Sequence, residues 1–456
     1  LSIAASAETF VAKPGWKESP MPGNPTKNHH PATWVPSLYF AEGLPFYAVN
    51  FMALTFYQRM GISNALITFV ISLLAWPWTL KPLLSPLLEM YKTKKFFVLI
   101  LQFVGGLSLV LLALSLNVPN YFRYSIAIFS VLGFCSATHD IAADGIYIAS
   151  LSPKDQAAYA GWQGAFYNVA RIFSMGGLIW LTGFLQERFL QSHTSAPMVH
   201  AWMMVFAGLG ILLILLSAYH ARFLPTGGEE RRTEGLRQAA LTFWDVVVTF
   251  FQKPNVLLLL VFIFLYRLGE GQVIKVGPLF LQADRSTGGL GLSLQMFGAI
   301  YGTFGSASFI LGSVLGGYFT AKLGLKRALF PLICVMNLPM LAYFYLSAAL
   351  PTNPVLITIA MSIEMFGYGF GFVGVILLMM QEIAPGKYQT AHYAFANSLM
   401  NLGVILPGLV SGWIQTRIGY RNFFIWVLIS ALPALILSRF IPIRQPAAGD
   451  AKAAEA

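Results

Sequence analysis

Apolar residues fill long uninterrupted stretches of the chain, and short polar, proline-rich or charged segments separate them. The stretches do not alternate apolar and polar positions as membrane β-strands do, and most reach the roughly 17–25 residues that a membrane-spanning helix needs. The pattern therefore predicts an all-α membrane protein. Its twelve spans are expected at about 36–60, 64–90, 96–116, 124–151, 156–185, 199–220, 255–282, 293–321, 327–349, 354–382, 389–416 and 422–440.

The widest gap between spans covers residues 221–254 and divides the twelve spans into six and six. Its first part is charged, and its second part has apolar residues at helical spacing, which indicates a cytoplasmic linker with an amphipathic helix on the inner membrane surface. We therefore expect an N-terminal six-helix bundle at 34–220 and a C-terminal one at 255–441. A disordered, proline-rich cytoplasmic tail is expected at 1–33, because the segment lacks an apolar signal-peptide core, and a second tail at 442–456.

Composition supports the membrane assignment and limits the partners. Hydrophobic residues make up 57% of the chain and charged residues only 10%, against about 25% charged in soluble domains. The net charge of +11 comes from short basic clusters between spans, nineteen bases on the side of the N-terminus against six on the other. This asymmetry predicts cytoplasmic termini and argues against nucleic-acid binding. The two cysteines lie in separate spans, which argues against a disulfide, and no residue spacing indicates a metal site or a cofactor. We expect a monomer whose partners are the lipid bilayer, a small-molecule substrate and protons.

The two halves contain matching segments at nearly one offset, which indicates an internal repeat. Each pair is placed 228 to 233 residues apart along the chain. The pairs are Glu42-Gly43 with Glu270-Gly271, Ser85 to Glu89 and Lys94-Lys95 with Gly317 to Ala321 and Lys326-Arg327, and Gln156 to Ala160 with Gln389 to Ala394.

Ionisable residues inside the spans are the candidate functional groups, because a charge at that depth normally faces a cavity or a partner. They are the acids Glu42, Asp140, Asp144, Glu270 and Glu364 and the bases Lys81, Arg171, Arg267 and Lys275. Asp140 and Asp144 share a helix face with about 6 Å of axial rise between them. Clustered carboxylates suit a proton-coupling site, and a purely structural charged pair is the alternative. Glu42, beside Gly43 and Pro45, either contacts substrate or proton directly or pairs with a base.

Most of the remaining candidate residues have two possible roles. His139 either takes part in proton transfer or is a neutral residue hydrogen-bonded to a neighbouring helix. Lys81 could pair with Asp144 and Arg171 with Asp140, or the bases could bind a substrate carboxylate. In the second half, Arg267 and Glu270 either satisfy each other or bind substrate, and Glu364 either pairs with Lys275 or binds substrate. Tyr39 is the aromatic candidate for stacking on a sugar ring.

Two short loops resemble the loop signature of the major facilitator superfamily, in which a small residue and an acid precede a tight turn and a basic pair. The first loop departs from that signature in its small residue and its acid, and the second lacks the acid. The residues concerned are Ser85, Glu89, Lys94 and Lys95 in the first half and Gly317, Gly324, Lys326 and Arg327 in the second. The resemblance implies a transporter of two six-helix bundles whose loops stabilise one conformer by binding helix ends and lipid headgroups.

A narrower resemblance, to the AmpG muropeptide permease family, rests on four segments. They are Tyr39 to Phe46, Trp76 to Pro86, Thr138 to Gly145, and Glu364 with Gly367, Gly369 and Gly371. The resemblance implies proton-driven import of an anhydromuropeptide by alternating access across the bacterial inner membrane. Siderophores, CoA thioesters, sugars and peptides are the alternative solutes. An intramembrane prenyltransferase, which would need a second aspartate pair, and a channel are less favoured.

Overall fold

The computed structural model describes residues 29–90, 93–227, 236–386 and 388–443. Most of the predicted N-terminal tail, the centre of the linker and most of the C-terminal tail lie outside these residues, as do the side chains of Ser85 and Glu89. Every regular element in the described part of the chain is helical, which confirms the all-α class.

The helices follow the predicted spans closely in the first half. They are α1 Val35–Tyr47, α2 Ala53–Arg59, α3 Asn64–Leu74, α4 Trp76–Thr79, α5 Lys81–Met90, α6 Lys94–Ser115, α7 Tyr121–Ser150, α8 Pro153–Arg171, α9 Ile179–Gln191 and α10 Pro197–Phe223. The predicted linker contains α11 Leu236–Phe251. After it come α12 Val256–Gln282, α13 Leu294–Phe297, α14 Ser306–Leu323, α15 Leu325–Asn337, α16 Leu341–Ala349, α17 Pro354–Leu378 and α18 Gln389–Leu437.

Nine continuous helices within the described ranges are long and apolar enough to cross a membrane. The longest, 391–440, contains two predicted spans, because α18 bends at Gly419, whose φ of 75° and ψ of 169° are not helical. A shorter apolar helix covers Asn64–Thr79, and α1 and α2 together cover the first predicted span. The arrangement is consistent with twelve spans.

Short π-helices interrupt several spans. One at Ala48–Met52 follows α1, which carries Pro45 in its interior, and one at Ile172–Leu178 follows α8. Two more, at Gly298–Gly305 and Met379–Ile383, lie in the second half. Such insertions in α-helices are rare and are frequent at functional sites.

Two compact units divide the chain. The first consists of Leu1–Tyr47, Leu84–Arg171 and Phe206–Thr233, and the second of Ala48–Leu83, Ile172–Val205 and Glu234–Ala456. These units group α2 to α4 and α9 with the second half of the chain, so the division into six and six spans stays a prediction. Two of the chain crossings, after Tyr47 and after Arg171, coincide with the start of a π-helix.

Helices of the first unit pack closely where glycines face each other. A Cβ on Gly106 of α6 would lie 2.6 Å from the Gly210 carbonyl oxygen of α10. Close backbone approach of this kind drives association in membranes, where lipid competes equally for apolar side chains. The core of the unit contains Val35, Leu38 and Ile146, all buried.

In the second unit, the glycines at 367, 369 and 371 of α17 let this helix touch two neighbours. Gly369 faces the backbone of α14 at Phe309, and Gly371 faces α15 at Leu332. The Tyr266 hydroxyl of α12 donates a hydrogen bond of 2.6 Å to the Gly371 carbonyl. The three glycines of this motif therefore serve the close packing of α17 against its neighbours.

The loop residues of the first half pack against the end of α7. The aliphatic stem of Lys94 lies over Gly145, where a Cβ would approach Lys94 Cδ and Cε to 2.5 Å. The Lys95 amide donates to the Thr226 carbonyl at 3.2 Å. In the second half, Gly324 adopts φ 73° between α14 and α15, and Lys326 and Arg327 are exposed. Gly317 faces open space.

Candidate substrate and proton site

A hydrogen-bonded set of polar side chains joins three helices of the first unit. The Tyr39 hydroxyl of α1 donates to Asp144 Oδ1 of α7 at 2.9 Å, and the Gln163 amide of α8 donates to the Tyr39 oxygen. The Tyr147 ring packs edge-on against Tyr39, with the ring centroids 6.0 Å apart. A change in the charge of Asp144 is thereby felt on α1 and α8.

Glu42 lies one turn after Tyr39 on α1 and is only 7% exposed. The Tyr167 hydroxyl of α8 interacts electrostatically with Glu42 and with Arg171, which ends the same helix. The Tyr47 hydroxyl also interacts with Arg171, which is 6% exposed. A buried carboxylate, a guanidinium and two phenols thus lie together at the chain positions just before the π-helices Ala48–Met52 and Ile172–Leu178.

The two aspartates of α7 have different surroundings although they share a helix face. Asp144 is exposed and Asp140 is partly buried. Both have interaction partners within the protein, as do Glu42, Lys81 and Arg171. The expected pairings of Lys81 with Asp144 and of Arg171 with Asp140 stay predictions.

His139 belongs to a second network, which connects α7, α6, α10 and α1. Its Nε2 lies 2.8 Å from the Gln102 amide nitrogen, and His220 Nδ1 lies 2.9 Å from the Gln102 amide oxygen. His220 Nε2 in turn lies 3.0 Å from Ser37 Oγ, which donates to the Trp34 carbonyl. His139 is thus hydrogen-bonded to a neighbouring helix, as one of its two readings expects.

The direction of these hydrogen bonds follows from the donors available. The Gln102 amide nitrogen can only donate, so His139 Nε2 accepts from it. The Gln102 amide oxygen can only accept, so His220 Nδ1 carries hydrogen. His139 Nδ1 has no described hydrogen-bond partner. A cavity of about 10 Å³ lined by His139, Gln102 and Ser136 has room for one water.

Charged residues of the second unit form a separate group on α12. The ion pair expected between Arg267 and Glu270 is present, with 2.7 Å from Nε to Oε2. The Arg267 guanidinium also lies over the Phe372 ring, 4.8 Å from its centroid. Lys275 makes no ion pair with any described residue. The Tyr343 hydroxyl interacts electrostatically with Glu364 of α17.

Sequence reasoning missed Gln102, Gln163 and His220. Each is a buried polar residue in a long helix. A polar residue inside an apolar segment could have indicated such a contact, since buried amides and imidazoles in a membrane bond to other helices. Their partners depend on helix rotation, which spacing within one helix does not give.

An all-helical fold with charged and polar side chains held inside apolar spans is typical of membrane transporters. The profile of the Major Facilitator Superfamily matches residues 37–406, and the chain belongs to this superfamily. The crystal structure of the nucleoside transporter NupG has the same fold, with a TM-score of 0.66, 16% identity, and coverage of 89% of this chain and 96% of NupG.

Within the superfamily, the chain is similar to AmpG-type proteins. The anhydromuropeptide permease of Escherichia coli is 25% identical over 419 residues, which cover 88% of this chain and 77% of the permease. A Rickettsia conorii protein that bears the transporter name AmpG is 21% identical over 420 residues, with 89% and 94% covered.

Proposed function

We propose that this transporter imports an anhydromuropeptide, a sugar–peptide fragment of the cell wall, across the bacterial inner membrane with both termini in the cytoplasm. The observation that carries the proposal is the similarity to the Escherichia coli permease along almost the whole chain. The site is chemically suited to such a ligand. Tyr39, Tyr47 and Tyr167 offer rings for the sugars, and Glu42 and Arg171 offer opposite charges for the termini of a peptide.

Proton coupling in this proposal runs through the acids of the first half. Asp144 is exposed at the surface of the protein, and its carboxylate accepts the Tyr39 hydrogen bond. A hydrogen bond to an ionised group is about twice as strong as one between neutral groups. Protonation of Asp144 therefore weakens its link to Tyr39, and through Gln163 it loosens α1 from α8. Such a change favours one conformer of an alternating-access cycle.

The test is uptake of labelled anhydromuropeptide into proteoliposomes, with and without an acid-outside proton gradient. Wild-type protein is expected to accumulate the compound only with the gradient. Asp144→Asn, Asp140→Asn and Glu42→Gln each test a proton carrier, and loss of one charge-assisted contact predicts a decrease of about 10- to 100-fold in at least one of them.

Matched controls make the same chemical changes at peripheral acids. Asp155→Asn alters a carboxylate bonded to exposed Ser152, and Glu187→Gln alters an exposed glutamate on α9. Both are expected to retain uptake. Full gradient-driven uptake in all three site variants would refute the assignment of the proton carriers. Folded wild-type protein that takes up no anhydromuropeptide would refute the substrate, and siderophores, CoA thioesters, sugars and peptides would then be tried.

A further inference from the structure

Lys275 is a buried cation that the described fold does not neutralise. It lies on α12 and is 4% exposed. It makes no hydrogen bond and no ion pair with any described residue, and its electrostatic interaction is with Glu270. Glu270 already forms an ion pair with Arg267, with 2.7 Å between Nε and Oε2. This part of α12 therefore holds two cations for one carboxylate.

An ammonium group inside a membrane protein is costly, at least about 2.5–3.5 kcal/mol by insertion measurements, unless a partner or cavity meets it. Glu364, another acid inside a span of this unit, interacts electrostatically with the Tyr343 hydroxyl. Among the described residues, Lys275 therefore interacts electrostatically only with Glu270, which already pairs with Arg267. A function that brings an anion to Lys275 would account for the retention of this charge.

Ser72 supplies a second polar group at the same place. It lies on α3, is fully buried, and its hydroxyl has no hydrogen-bond partner among the described residues. The two side chains meet at Gly408 of α18. A Cβ built on Gly408 would overlap Ser72 Oγ and would lie 3.3 Å from Lys275 Cγ and 3.5 Å from Lys275 Cε.

The absence of a side chain at Gly408 therefore lets α18 pack directly against these two groups. Further contacts, one and two turns away along both helices, hold α3 and α18 together. The Gly412 amide donates to Thr68 Oγ1 at 3.1 Å, and the Asn64 amide donates to Gln415 Oε1 at 2.8 Å. The close approach at Gly408 is part of this helix contact.

We propose that Lys275 Nζ and Ser72 Oγ bind a carboxylate of the transported substrate. This inference rests on the proposed function, since the peptide part of an anhydromuropeptide carries free carboxylates. One ammonium and one hydroxyl suit the two oxygens of a single carboxylate. A phosphate, with more oxygens and a higher charge, is bound best by a bidentate guanidinium, and Arg267 is already occupied by Glu270 and the Phe372 ring.

The test compares labelled anhydromuropeptide with its methyl-esterified form, in which the carboxylates are neutral. In wild-type proteoliposomes the acid is expected to have the lower KM. Lys275→Met should raise KM for the acid about 10- to 100-fold, the effect of losing one charge-assisted hydrogen bond, and should leave KM for the ester within about twofold. Lys275→Arg keeps the charge and should retain most of the preference.

Lys322→Met is the matched control, because it makes the same change at an exposed lysine of α14. It is expected to leave KM for both compounds as in wild type. Equal increases in KM for acid and ester in Lys275→Met would show a general effect on the fold and would overturn the subsite.

A second measurement does not depend on the muropeptide. Acetate is titrated at constant ionic strength, and the melting temperatures of wild type, Lys275→Met and Lys322→Met are recorded, since an anion that binds the native state raises its stability. Acetate should stabilise wild type and Lys322→Met more than Lys275→Met. If wild type transports no muropeptide but shows this difference, the proposed function fails and the carboxylate subsite stands. The same acetate response in all three proteins would overturn the subsite, whatever is transported.

Discussion

Replacing Gln102 by methionine tests the network that joins four helices of the first unit. The substitution keeps the length of the side chain but removes both amide groups. It breaks the contacts of 2.8 Å to His139 and 2.9 Å to His220. His220 is fully buried and does not line the small cavity, so its Nδ1 loses its partner with no room for water, whereas His139 adjoins that cavity.

The magnitude follows from these differences. A hydrogen bond between helices of a membrane protein contributes about 0.6 kcal/mol on average, so two lost bonds cost about 1 kcal/mol. A buried polar atom left without a partner adds about 1–3 kcal/mol, and only His220 incurs this in full. We expect Gln102→Met to lower the free energy of unfolding by about 2–4 kcal/mol.

The assay is equilibrium unfolding of purified protein in mixed micelles with increasing SDS, followed by tryptophan fluorescence. Ser108→Ala is the control on the same helix, because the Ser108 hydroxyl donates only to the Val104 carbonyl of its own helix. It should cost less than about 1 kcal/mol.

A triple variant, Gln102→Met with His139→Leu and His220→Phe, removes every polar member of the network except Ser37. Apolar replacement of similar volume costs little when no polar atom stays unpaired. The triple variant should therefore be more stable than Gln102→Met alone. If it is as unstable as the single variant or worse, packing rather than hydrogen bonding holds these helices and our reasoning is refuted.

Three further outcomes are expected. Gly369→Ala pushes a methyl group into a backbone carbonyl of α14. In the same unfolding assay it should lower the free energy of unfolding by about 1–3 kcal/mol. Gly177→Ala adds its methyl group in open space and should leave the free energy of unfolding unchanged. Tyr39→Phe removes the hydroxyl that donates a hydrogen bond to Asp144. It should reduce gradient-driven uptake about tenfold and lower the melting temperature by no more than a few degrees. Unchanged uptake would contradict the proposed route of proton coupling through Asp144 and Tyr39. His392→Leu removes a ring nitrogen 3.2 Å from the Val246 carbonyl of α11 and should make the linker helix more sensitive to limited proteolysis, and equal cleavage rates would show that this contact does not hold it.

Features set within one helix could be predicted from the sequence. Span positions follow from apolar length, and the ion pair of Arg267 with Glu270 follows from a spacing of three residues, because both determine geometry along a single helix. The turn near Gly419 was likewise placed between two expected spans.

Contacts between helices were less accessible. Asp140 and Asp144 were expected to act as one cluster, but the exposure of each depends on which neighbouring helix covers it. Lys275 was expected to be one half of a buried ion pair, and the structure shows no such pair among the described residues. If one helix rotated by a third of a turn, these side chains would meet different partners. The residue spacing within that helix does not determine this rotation.

The bend at Gly419 bears on how the chain enters the membrane. Helix geometry continues to within a residue of this glycine on both sides, and its φ of 75° is one that glycine adopts without strain. Only the few residues around this turn separate the two segments. The nascent chain can therefore insert both as a single hairpin, with the exposed Arg417 and Arg421 on either side of its tip.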